Sequence, residues 1–241
     1  MRDYADACFR YFRFTEMFVS DGRSIQIAPD KIPEIDFILE TVPREPTYID
    51  DVTAFKNYLF DPAQPRLYTD DRSNLENTLM RHFSYTKQEL SEKTIEELKD
   101  LRDSAVQAKR AAIIQKQTEE LKSYALYQEV IDTYNEILSD EVYDAPLFLE
   151  WNTWRAMTML DGGTIKGNFR IDDAGRPTST AQGNMPDIEC DYDTFALSVE
   201  VTLQRGQRQY ESEGEPVTRH YAQLQKATGK TTYCLFIAPS I

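Results

Sequence analysis

The residues best able to do chemistry are two carboxylates, Asp187 and Glu200, with Glu150, Glu213 and His220 around them. Residues 195–204 alternate in character: Phe195, Leu197, Val199, Val201 and Leu203 point one way, and Ala196, Ser198, Glu200, Thr202 and Gln204 the other. Glu200 is therefore expected mid-strand in a core-like element, where a carboxylate is costly to bury unless it is paired or binds metal. Asp187 follows Pro186 at the mouth of the preceding β-like run, 187–193, and a short connection near Thr194 would lay the two runs antiparallel. An Asp at one strand's start and a Glu on the next can meet at one point. That pairing suits Mg²⁺, a hard cation that takes oxygen ligands and keeps several waters. Glu150 interrupts an apolar helical face beside Leu147 and Trp154, with Met157 a turn further on. Glu213 lies ahead of a helix expected to open at Pro216, since proline is favoured in a first turn. Arg219 and His220 fall in that helix's first turns, so four carboxylates, one His and one Arg can converge.

Each of these residues also has a plainer reading. Glu200 alone is an exposed-face residue of a one-sided sheet, and Asp187 alone is a turn-former. Glu150 is a buried partner for Arg155 or Arg170, and Glu213 is a carboxylate favourable to a helix N-terminus. His220 is a satisfied surface or core histidine, and Cys190 and Cys234 belong to the core. Other catalytic anchors are missing from the sequence. Gly162-Gly163 lacks the following Gly-Lys-Thr/Ser of a phosphate-binding loop, and there is no Gly-x-Ser-x-Gly nucleophile elbow.

The elements that must position these residues divide the 241 residues into three textures. Residues 1–64 mix a helix over 3–18 with aromatics and small residues at helical spacing (Tyr4, Cys8, Tyr11, Phe12, then Met17 and Phe18), a polar turn at 20–23, a strand over 24–28 and a short helix over 32–40. That order suits the end of a winged-helix module. Residues 65–144 read as a helical linker, with no Gly or Pro from Thr86 to Leu138. Thr86 with Glu89 and Thr94 with Glu97 form two capping boxes, which predict at least two helix starts rather than one rod. Residues 145–241 carry the chemistry: an apolar helix over 146–160, a Gly-rich loop to about Asn184, the two β-like runs, the Pro216 helix and an apolar strand over 232–238.

Composition sets bounds. Apolar residues at 41% and aromatics at 12% exclude wholesale disorder. With 27 Lys and Arg against 41 Asp and Glu, the net charge of −14 argues against a polybasic nucleic-acid binder, but a carboxylate-and-metal site on DNA is itself acidic. Three cysteines without CxxC spacing point to a reducing cytoplasm, and two histidines are too few for a usual structural zinc site. No apolar run is long enough to span a membrane, and no signal core follows Met1. A soluble, cytoplasmic protein is expected, with no membrane association.

Five blocks in order carry a resemblance: Phe148-Leu-Glu150-Trp-Asn-Thr-Trp-Arg155; Phe169-Arg-Ile-Asp-Asp173-Ala-Gly-Arg-Pro177; Pro186-Asp187-Ile; Val199-Glu200-Val-Thr-Leu203; and Glu213-Gly214-Glu-Pro-Val-Thr-Arg219-His220. Over about residues 146–240 the chain resembles the cleavage domain of AlwI-type restriction endonucleases, type IIS enzymes with nicking relatives and small cleavage subunits. The Asp187–Glu200 and Glu200–Glu213 separations are each 13 residues, as in that family. Residues 1–42, with Asp3-Tyr-Ala-Asp-Ala-Cys-Phe-Arg-Tyr-Phe-Arg-Phe-Thr, resemble the winged-helix part ahead of the family's linker.

The resemblance implies an α+β or α/β fold with a PD-(D/E)xK-like nuclease domain, a central mixed sheet flanked by helices. It implies Asp187 and Glu200 as the metal pair, joined by Glu150, with Glu150 and Glu213 as further catalytic carboxylates and His220 as an active-site helper. Mg²⁺, replaceable by Mn²⁺, is the implied cofactor and double-stranded DNA the implied substrate, cut in both strands by a dimer or with a second subunit, or nicked by one site. Thr202 stands where the general motif has lysine, and Gln204, Arg219 and His220 are the candidate replacements. Family members extend further at both ends, so the chain reads as a fragment whose cleavage domain is truncated at its C-terminus. The alternative is a degenerate, non-catalytic DNA-associated or subunit-interaction module.

Overall fold

Four helix starts in residues 27–109 are written in the sequence as aspartates and threonines, Asp51, Asp71, Thr86 and Thr94, and each caps its helix. In a computed structural model, which describes residues 8–9, 11–45 and 47–239, α1 (Ile32–Thr41) and α2 (Val52–Leu59) are followed by α3 (Arg72–Phe83), α4 (Lys87–Leu90) and α5 (Ile95–Lys122). Asp51 caps α2 and Asp71 caps α3 by accepting backbone N–H groups otherwise left unpaired at a first turn. Both expected capping boxes form: Thr86 with Glu89, and Thr94 with Glu97. Leu75, Leu79, Leu90 and Leu98 close into a buried cluster. Arg72 ties α3 to the following turn, donating to the carbonyls of Leu90 at 2.9 Å and Lys93 at 2.5 Å.

The other compact unit joins residues 1–26 to 110–241. Of the helix expected near the N-terminus, residues 3–7 lie outside the described residues; residues 8–9 and 11–14 are helical, and Phe18 already belongs to strand β1 (Phe18–Ser20), paired with β2 (Ile25–Ile27). Gly22 sits between them at φ +83°, and a Cβ there would stand 2.8 Å from the Phe148 ring. Only glycine tolerates both. The long helical run breaks at Tyr124, which has φ +60°, and α6 (Tyr127–Leu138) and α7 (Ala145–Leu160) follow.

The chain then differs from its expected Gly-rich loop. Residues 161–184 contain β3 (Thr164–Gly167), β4 (Arg170–Ile171) and β5 (Pro177–Ser179). These strands are too short for alternation to reveal them. β6 (Ile188–Asp191), β7 (Phe195–Val201), α8 (Gln207–Thr228) and β8 (Thr231–Ile237) complete the order. The main sheet is mixed, in the order β3-β6-β7-β8, with β7 and β8 parallel and the other pairs antiparallel; β4 and β5 form a separate hairpin. This is a mixed α+β architecture. Trp154, Met157, Ile188, Cys190 and Val199 lie at the centre of its core, against α7. Cys234, expected in the core, is exposed, because β8 is an edge strand.

Candidate active site

β7 is buried on both faces, and this decides what Glu200 is. Its apolar face (Leu197, Val199, Val201) packs into the core with Trp154 and Met157 of α7. Its polar face is no less buried: Ala196 and Ser198 are fully enclosed and Glu200 is 5% exposed. The exposed-face reading of Glu200 is therefore wrong. α8 packs on β7 and β8 and supplies the cover.

The preference of proline for a first turn places the start of this covering helix at Pro216, nine residues later than the structure does. α8 begins at Gln207, and Pro216 lies inside it. Glu213 is thus a helix residue, half-buried, rather than a residue ahead of the helix. Gln209, Glu213, His220 and Leu224 recur at spacings that place them on one side of α8, and Gln209, His220 and Leu224 are buried. Gln209 lies ahead of Pro216, and only a helix that starts at Gln207 phases it with His220.

Glu200 is held by two side chains. Its Oε1 accepts the Ser198 hydroxyl at 3.1 Å and faces His220 Nδ1 at 3.1 Å. The other ring nitrogen of His220, Nε2, is buried with no hydrogen-bond partner among the described residues. Of the three candidates for the missing lysine position, His220 alone has a hydrogen bond to Glu200 among the described residues. Gln204 accepts from the Ser212 hydroxyl at 2.8 Å, and Arg219 pairs with Glu215 one turn away on its own helix at 3.1 Å.

Asp187 stands immediately before β6, and β6 and β7 are antiparallel neighbours with Ile188 opposite Val199, as the short connection required. Its Oδ2 accepts the Val201 N–H at 2.8 Å. Among the described residues Glu150 is bonded to no arginine. Arg155 is buried against Trp151, its guanidinium 4.4 Å from the ring centroid, and pairs with Glu129 at 2.5 Å, while Arg170 is exposed. Glu150 is 7% exposed, and its Oε2 accepts the Ala181 N–H at 3.0 Å from the loop after β5.

The electrostatics tie these groups together. Burial, and then the charge of Asp187, push Glu150 up to about 8. The same two causes push Glu200 up to about 8, with Glu213 adding to them. Burial, with Glu213 contributing, raises Asp187 to about 6 despite the Val201 amide. Burial, then the neighbouring Arg219, lowers His220. Glu150 of α7 and Glu200 of β7 thus feel the charge of Asp187, and Glu213 of α8 adds its charge at Asp187 and Glu200. Such a cluster disfavours its own ionised state and is relieved by a cation or by protons. Among the described residues, no three His, Cys, Asp or Glu side chains are grouped closely enough to hold an ion by themselves.

No helix among the described residues is long and apolar enough to cross a membrane. No curated protein matches the chain. A solved structure, the small subunit (R.BspD6I2) of the heterodimeric restriction endonuclease R.BspD6I, is 33% identical over 47% of this chain and 60% of that one, with a TM-score of 0.44. The family model described as AlwI restriction endonuclease matches residues 1–241. The chain belongs to the AlwI restriction endonuclease family.

Proposed function

We propose that the chain carries the cleavage site of a type IIS restriction or nicking endonuclease and hydrolyses DNA phosphodiester bonds with Mg²⁺. The observation that carries this reading is the gathering of the buried Glu150 and Glu200 and the half-buried Asp187 on separate elements, with no Lys or Arg bonded to any of them among the described residues. Structural carboxylates inside a protein are paired with cations; an acidic cluster left mutually repulsive is suited to receive one. Membership of the family and the two 13-residue separations support the same reading.

The donor set fits Mg²⁺. It offers only oxygen from carboxylates, and Mg²⁺ is commonly held by one or two carboxylates with waters and substrate phosphate completing its shell. A ready-made cage of three side chains is not required. Asp187 and Glu200 would hold the ion, with Glu150 beside them. Bound there, it supplies charge stabilisation to the phosphoryl oxygens and acidifies water.

The chain's own residues do the rest. The Val201 amide fixes the Asp187 carboxylate, the Ala181 amide fixes that of Glu150, and Ser198 and His220 fix that of Glu200. His220 takes the place of the family motif's lysine: with Nδ1 engaged by Glu200, its Nε2 is the atom left to hydrogen-bond a phosphate oxygen or the attacking water. Glu213 adds negative charge that favours cation uptake.

The proposed fold is PD-(D/E)xK-like, with a winged-helix remnant over 1–64, a helical linker over 65–144 and the cleavage domain over 145–241. Double-strand cleavage would need two such sites, from a dimer or a second subunit. The test is nicking of supercoiled plasmid with Mg²⁺ or Mn²⁺ by the chain and by Glu200→Ala. Metal-dependent nicking lost in the variant supports the proposal; nicking unchanged in the variant contradicts it.

A further inference from the structure

The position of Asp187 depends on more than the strand it introduces. The residue just before it is proline, which has no N–H to give to a neighbouring strand, and β6 begins only at Ile188. The β3–β6 ladder ends at Gly167 opposite Ile188. Asn168 carries the pairing one step further. Its backbone N–H donates to the Asp187 carbonyl at 3.0 Å, and its side-chain Nδ2 donates to the Pro186 carbonyl at 2.8 Å and to Glu189 Oε1 at 2.9 Å. Both side-chain partners are acceptors, so the amide nitrogen must face them. One residue therefore grips the chain before, at and after Asp187.

Asn168 is itself held. It is 9% exposed. The Phe169 ring folds back across Gly167, where a Cβ would fall 2.1 Å from a ring carbon, and Phe169 packs on Trp154 with ring centroids 5.5 Å apart. The asparagine is thus anchored through the aromatic core beneath α7, while the Asp187 carboxylate is anchored to the Val201 amide of β7.

We propose that Asn168 is a positioning residue for the Asp187 carboxylate, setting its reach toward the cation without touching substrate. This rests on the reading of Asp187 as a metal-holding carboxylate. Side-chain partners of ligands commonly change activity or metal affinity by about 10- to 100-fold when removed.

The variants are Asn168→Asp, which keeps the size but loses both side-chain donations, and Asn168→Asp combined with Glu189→Gln. The second restores a donor between positions 168 and 189 and leaves the Pro186 carbonyl without one. Plasmid nicking should show kcat lowered roughly 10- to 100-fold in both, with KM for DNA unchanged. Amide exchange of the metal-free protein provides a readout independent of activity. The Val201 N–H, which Asn168 does not touch, should exchange roughly tenfold faster or more, while Leu197 and Val199 on the same strand stay as in the parent. Wild-type kcat in the variants would overturn the proposal. So would equal acceleration of all three amides, or full recovery in the double variant. If the parent chain does not nick, the proposed function fails, and the exchange comparison still decides the role of Asn168.

Discussion

Carboxylates do opposite work in the two compact units. In residues 27–109 they sit at helix starts in water. Asp70 accepts the Leu67 amide and pairs with Lys99, and Glu89 and Glu97 close their capping boxes. Hydrogen bonds hold all three below their ordinary range. In residues 110–241, Glu150, Asp187 and Glu200 also accept hydrogen bonds, yet burial and mutual charge push them up. The donors are similar, and solvent decides the sign. A carboxylate that water can reach stabilises the fold by being charged. One buried beside others costs stability when charged, and such a cost is tolerated where the charge is used.

Removing a site carboxylate should give the largest effect. Asp187→Ala or Glu200→Ala should lower metal-dependent nicking by at least about 10³-fold, the rate equivalent of several kcal/mol of transition-state stabilisation. Circular dichroism should be unchanged. Loss of cleavage together with loss of fold would mean that these groups are structural after all.

Next in size is the pH dependence of metal-free stability. A carboxyl whose folded pKa is raised binds protons more tightly in the native state, so stability falls as pH rises from its unfolded value through its folded one. For Glu150 and Glu200 that window runs from 4.5 to about 8. The helix-cap carboxylates act oppositely: their contribution is present above their unfolded values and lost at more acid pH. The melting temperature without metal should therefore peak near ~pH 5 and fall on the order of 5 °C by ~pH 8. Glu200→Gln should flatten that fall. A melting temperature that climbs steadily from pH 5 to 8 would contradict the inverted sign.

The smallest effect belongs to the other unit. Thr94→Ala should cost about 1 kcal/mol, seen as a small shift in urea midpoint, with nicking unaffected. A cap substitution that abolished nicking would break the contrast between the two kinds of carboxylate.

Legibility followed the length and regularity of the signal. The β7 alternation, the antiparallel approach of β6 and the two capping boxes rest on local rules, and each appears where the residues put it. Glu200's burial could not be read locally, because it depends on α8 covering the polar face of β7. Pro216 disguised that helix: the rule that proline favours a first turn placed its start nine residues too late. Asn168 gave no sequence signal, since its role arises from two chain segments brought together by β3 and β6. Cys234 shows that an apolar run does not distinguish a central strand from an edge.

The central claim is that the buried carboxylates form a cation site, and the direct measurement is calorimetric titration of the chain and of Asp187→Ala with Mg²⁺ and Mn²⁺. The account predicts a saturable heat in the parent that disappears in the variant. No binding by either protein, with normal circular dichroism, or equal binding by both, would contradict it.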